Sequence, residues 1–248
     1  MSTVPKESPA TDDRGQQNST TTCGRSEDSE GTLTDSESDY AHRFSIEETI
    51  LIFDWDDTVF PSSWVQEQGL RLDGETPLSP PQRDELVDLA RLAADTLHLA
   101  QQLGTVVLLT NAERGWIELS CQKFMPSLYS SVEQVKLLSA RSEYETALVS
   151  SPFEWKLRAF ESEISRIFVE EEPDITRRKN ILSLGDSSHE REALIHATAN
   201  LPNCRAKSLK FVERPAVEQL RKQHTLLARC LRRIVHHDGN LDLSIRPI

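Results

Sequence analysis

At 248 residues the chain is long enough to bury a full core as one or two domains, and its formal charge of −12 at pH 7 excludes a general nucleic-acid binder, which needs cations facing phosphates. Its four cysteines form no Cys-x-x-Cys pair and no disulfide-like spacing, which suits a reducing interior, cytoplasmic or nuclear, better than secretion. No charged-then-apolar signal opens the chain and no apolar run approaches bilayer length, so neither export nor a membrane partner is expected.

Residues 1–43 are mostly Ser, Thr, Asp, Glu, Gly and Gln, with almost no large apolar side chains. Such a segment buries too little surface to offset its ordering entropy, so a disordered tail is expected there. Its acidic Ser/Thr tract, Ser26 to Asp39, resembles the targets of acidophilic kinases, which makes a kinase an expected partner. A plain solubilising tail is the alternative. Residues 44–236 then suit one domain, and 237–248 a C-terminal tail.

The run Ile50-Leu51-Ile52-Phe53 reads as a strand buried on both faces, because it has no polar alternation. It ends in Asp54-Trp55-Asp56-Asp57-Thr58, at the carboxyl end of the strand, where open α/β sheets place their ligands. Asp54 and Asp56 repel each other and call for a counter-charge, most simply a hard cation such as Mg2+. A solvated Asp-rich turn is the bland alternative. Turn residues at Pro61-Ser62 and Pro77-Leu78-Ser79-Pro80-Pro81 bound an excursion over residues 60–81, a flap across the strand ends.

Leu86, Leu89, Ala90, Ala93, Leu97 and Ala100 predict a helix from Gln82 to Leu103, stopped by Gly104. Val106 to Leu109 is a second buried strand, ending in Thr110-Asn111. A helix is expected from Glu113 to Phe124, a strand from Val135 to Leu138, and a helix from Phe153 to Phe168 carrying Lys156. Ile181 to Leu184 is the next strand, closing on Gly185-Asp186, with a helix from Glu190 to Ala199 after it. Leu209 to Val212 reads as a last strand, and Ala216 to His236 as a closing helix. Strands alternating with helices predict an α/β fold: a three-layer Rossmann-like sandwich around a central, mainly parallel sheet.

Asp54, Asp56, Thr58, Thr110, Lys156, Asp186 and Glu190 thus fall at comparable positions on successive units. In this pattern the sequence resembles the haloacid dehalogenase-like superfamily of Asp-dependent phosphohydrolases. Asp54-Trp55-Asp56-Asp57-Thr58 is similar to its first motif, Thr110 to its second, Lys156 to its third, and Gly185-Asp186 with Glu190 to its fourth. The resemblance implies a Mg2+-dependent phosphatase acting on a phosphorylated substrate, protein or small molecule. Asp54 would be the nucleophile that becomes an aspartyl-phosphate, and Asp56 the acid and base. Thr110, with Asn111 beside it, and Lys156 would hold the transferring oxygens. Asp54, Asp186 and the Asp56 carbonyl would hold the metal, with Thr58 and Glu190 behind them. Glu190 stands where Asp is commoner, and would either reach the metal through water or hold Lys156.

No stretch is long enough for a folded cap, so the resemblance is to the capless type, open to bulky substrates. Phe60, Trp64 and Trp116 are either walls of that site or core. The rival reading is a catalytically weak or inactive member of the same fold, a binding or scaffold protein regulated through its phosphorylatable tail.

Overall fold

A computed structural model describes residues 43–74, 77–168 and 176–246 of the chain. The expectation of a disordered N-terminal tail, and residues 75–76 of the flap, lie outside the described residues. The strands are β1 (Thr49–Asp54), β2 (Thr105–Thr110), β3 (Lys136–Ser139), β4 (Lys179–Gly185), β5 (Cys204–Lys210) and β6 (Leu241–Ser244). The helices are α1 (Ser62–Glu67), α2 (Pro80–Gln101), α3 (Trp116–Phe124), α4 (Tyr129–Val132), α5 (Ala140–Tyr144), α6 (Pro152–Phe168), α7 (Ser188–Thr198) and α8 (Val217–His236).

Every strand pairing is parallel, and the order across the sheet is β3-β2-β1-β4-β5-β6. The chain leaves β1 toward β2 and β3, then returns to the other side of β1 for β4. The connections diverge between the carboxyl ends of β1 and β4, the position at which open α/β sheets place their ligands.

The apolar runs show no alternation because both faces of the sheet are covered. Leu51 and Phe53 of β1, with Val106 and Leu108 of β2, pack in one cluster with Leu86, Leu89 and Leu97 of α2 and Leu220, Leu227 and Leu231 of α8. The intervening Ile50, Ile52, Val107 and Leu109 turn the other way, onto Trp155, Phe160 and Ile164 of α6 and Leu194 of α7. The result is the expected three-layer α/β sandwich, and no separate cap domain interrupts it among the described residues.

Helix α2 begins two residues before the predicted start, at Pro80, since proline is at home in a first turn where no N–H partner exists. Ser79 caps it, its backbone N–H donating to Gln82 Oε1 at 2.9 Å. Gly104 ends the connection to β2 because a Cβ there would lie 2.6 Å from the Thr49 carbonyl oxygen. Helix α3 begins at Trp116, not Glu113, because Gly115 at φ 91° breaks the helical path just before it.

The largest corrections fall on the C-terminal half of the sheet. Strand β5 starts at Cys204, five residues before the predicted strand, and ends at Lys210. Its polar sequence hides Lys207, which is fully buried and donates to Asn180 Oδ1 at 2.6 Å and the Val235 carbonyl at 2.7 Å. Burial lowers the Lys207 amine to about 7. Strand β6 falls inside the segment 237–248, expected as a tail; it is a parallel edge strand held at its end by Ile245 N–H donating to the Lys210 carbonyl at 2.8 Å.

Candidate active site

Parallel strands bring their carboxyl ends to one edge, and the residues that end β1, β2 and β4 meet there. Asp54 closes β1, Thr110 closes β2, and Asp186 follows Gly185 at the end of β4. Lys156 arrives from the first turns of α6, which packs across the sheet face below.

Lys156 is the centre of the charge arrangement. Its ammonium donates to Asp54 Oδ1 at 2.8 Å and to Glu190 Oε1, and all three side chains are buried. Burial alone lowers the Lys156 pKa, but Asp54 and Glu190 more than reverse this, so the lysine is held charged above its ordinary range. Burial opposes the Glu190 carboxylate too, yet Lys156 and two donations from Ser187 bring its pKa below the usual range. Glu190 therefore holds Lys156, the second of the two roles open to it from the sequence. Gly185 is required beside it: a Cβ there would overlap the Glu190 side chain, reaching 2.7 Å from Cδ.

Asp54 goes the opposite way. Burial raises its pKa well above the ordinary value; Lys156 opposes this, while the charges of Glu190, Asp56 and Asp186 add to it. Asp186 is pushed up to about 7, first by burial and then by Glu190 and Asp57. One ammonium thus faces an excess of carboxylates.

Asp56 is fixed by two donors. The Thr110 hydroxyl donates to Oδ2 at 2.6 Å, and the Trp116 indole N–H donates to Oδ1 at 2.9 Å. Trp116 was legible in sequence only as wall or core. A half-buried indole needs an acceptor, but nothing local identifies one sixty residues away. Phe60 is fully buried and stacks on Trp55 at 5.7 Å, so it is core; Trp64 packs against the same cluster half-buried.

Asn111 spends its amide N–H on the Pro152 carbonyl at 3.2 Å, tying the end of β2 to the start of α6. Thr58 is fully buried with its hydroxyl unpartnered, while its carbonyl faces His224 Nε2 at 3.0 Å. Asp57, at φ 53°, accepts from Ser63 N–H at 2.8 Å and from the Ser62 and Ser63 hydroxyls, pinning the flap at its root. Two other lysines, Lys136 and Lys123, are engaged elsewhere: Lys136 pairs with Glu163, and Lys123 donates to the Leu72 and Gly74 carbonyls of the flap.

The donor set is one of hard oxygens whose charged forms are disfavoured by burial and by each other, a strain that a divalent cation such as Mg2+ would relieve. Among the described residues no group of three or more His, Cys, Asp or Glu side chains is placed to hold a metal ion. The expected set is not of that kind, since it takes two carboxylates, Asp54 and Asp186, and a third ligand from the Asp56 main chain. Also among the described residues, no helix is long and apolar enough to cross a membrane. Comparison of the chain with protein-family models, curated proteins and solved structures returned no match.

Proposed function

We propose that the protein is a Mg2+-dependent phosphatase of the haloacid dehalogenase-like type, hydrolysing a phosphomonoester through an aspartyl-phosphate on Asp54. The observation that carries this reading is the meeting of Asp54, Asp56, Thr110, Lys156 and Asp186, from four separate segments, at the carboxyl ends of β1, β2 and β4. A fold kept only for binding has no need to gather them.

In this reading the Asp54 carboxylate attacks phosphorus as the P–O bond to the leaving group breaks. Lys156, already fixed by Glu190, neutralises the incoming carboxylate and the transferring oxygens. Thr110 turns its hydroxyl from Asp56 Oδ2 toward a phosphoryl oxygen. Asp56 must enter this step carrying a proton on Oδ2, which it gives to the leaving oxygen, while Trp116 keeps the group in place through Oδ1. The same oxygen then takes a proton from the water that attacks the aspartyl-phosphate. Asp54, Asp186 and the Asp56 carbonyl would hold Mg2+, whose charge screens the phosphate from the carboxylates.

The test is hydrolysis of phenyl phosphate by the wild type and by Asp54→Asn, each with and without Mg2+. The wild type should turn over only with the ion, and the variant should lose activity by at least about 10³-fold while keeping its circular dichroism. Undiminished turnover by Asp54→Asn rejects the mechanism.

A further inference from the structure

A cavity of about 650 Å³ lies beside the proposed acid, between α1, the flap and α3. Trp116 belongs to both places: it lines the cavity, and its indole N–H is bonded to Asp56. Asp56 itself does not line the cavity, so a leaving group whose oxygen takes its proton from Asp56 would reach this space past Trp116. The floor and walls are Val65, Leu70, Leu72, Trp116 and Phe124.

Most polar groups around the cavity are already committed, the amide of the exposed Gln66 excepted. Ser62 and Ser63 give their hydroxyls to Asp57. Arg71 and Asp73, both well exposed, pair with each other at 2.9 Å, so the rim carries little net charge. The wall is also held in position, because Lys123 donates to the carbonyls of Leu72 and Gly74 at 2.8 and 2.7 Å. A polyol placed here would find the Gln66 amide for one or two hydroxyls and leave the rest facing apolar side chains without partners. An aromatic ring would gain burial against Trp116 and Phe124 at no such cost.

We infer that this cavity seats the leaving group, and that the substrates are phosphomonoesters of aromatic alcohols. The inference rests on the phosphatase reading and adds to it a substrate class and the residues that select it.

The test compares benzyl phosphate with glycerol 3-phosphate, two alkyl esters of similar leaving-group basicity, so that ring recognition is separated from intrinsic reactivity. The wild type with Mg2+ should favour benzyl phosphate in kcat/KM by on the order of tenfold or more. Leu72→Ser puts a hydroxyl on the wall and should shrink that ratio by lowering the benzyl phosphate value more. Equal kcat/KM for the two esters in the wild type, or preference for glycerol 3-phosphate, overturns the inference and leaves the phosphatase reading standing. No turnover of either ester, or of phenyl phosphate, rejects both. Because the wild-type ratio decides the matter by itself, an unstable Leu72→Ser protein does not remove the test.

Discussion

Replacing Lys156 by Met removes one charge from a place where water cannot stand in for it. The lysine is 4% exposed and lies between Asp54, also 4% exposed, and Glu190, 2% exposed. Methionine keeps the length and the apolar stem, so the packing of α6 changes little and the electrostatic loss dominates. Asp54 and Glu190 are then left facing each other with no cation between them, so one must take up a proton or remain an uncompensated buried charge. Removing one partner of a buried, hydrogen-bonded ion pair costs about 3–5 kcal/mol. That is a large part of the roughly 5–15 kcal/mol that keeps a domain folded. Urea unfolding of Lys156→Met in the absence of Mg2+, followed by tryptophan fluorescence and circular dichroism, should give a lower midpoint at unchanged slope. Adding Asp54→Asn to the same chain takes away one of the stranded charges, so the double variant should recover about 1–3 kcal/mol relative to Lys156→Met. A loss below about 1 kcal/mol in the single variant, the size of an exposed pair, would refute the reasoning. So would a double variant less stable than the single one.

Two further outcomes follow from neighbouring residues. Gly185→Ala drives a methyl group into the Glu190 side chain; it should cost about 1–3 kcal/mol by urea unfolding and, by letting Lys156 shift, about tenfold or more in kcat/KM. Normal values of both would show that Glu190 does not position the lysine. His224 is buried between Thr58 and Thr96, and burial lowers its pKa from 6.5 to about 4 despite its bond to the Thr58 carbonyl. Between those two values the unfolded chain binds the proton and the folded one does not. Stability from this group is therefore complete above pH 6.5 and falls as the pH drops toward 4, by at most about 3 kcal/mol. Unfolding midpoints measured from pH 7 to pH 4 should fall less steeply in His224→Gln; parallel curves would show that the imidazole is protonated in the fold.

The alternation of apolar strands with amphipathic helices determined the layer architecture, because Ile50 to Phe53 and Val106 to Leu109 cannot be satisfied on a sheet with a wet face. The ends of those strands also made Asp54, Asp56, Thr110 and Asp186 legible, since the carboxylates and hydroxyl stand out against the apolar runs they close. Strand β5 was only partly legible, because its buried lysine reads as a surface residue until Asn180 and the end of α8 are brought against it. The edge strand β6 carries only a short, mostly exposed run, too weak a pattern to mark it. What only the tertiary structure decided is pairing across long separations: Glu190 with Lys156, Trp116 with Asp56, and Lys123 with the flap. Periodicity reports which face of an element is buried. It carries no information about which distant partner satisfies a buried donor or charge, and at this site those partners set the geometry and the charge balance.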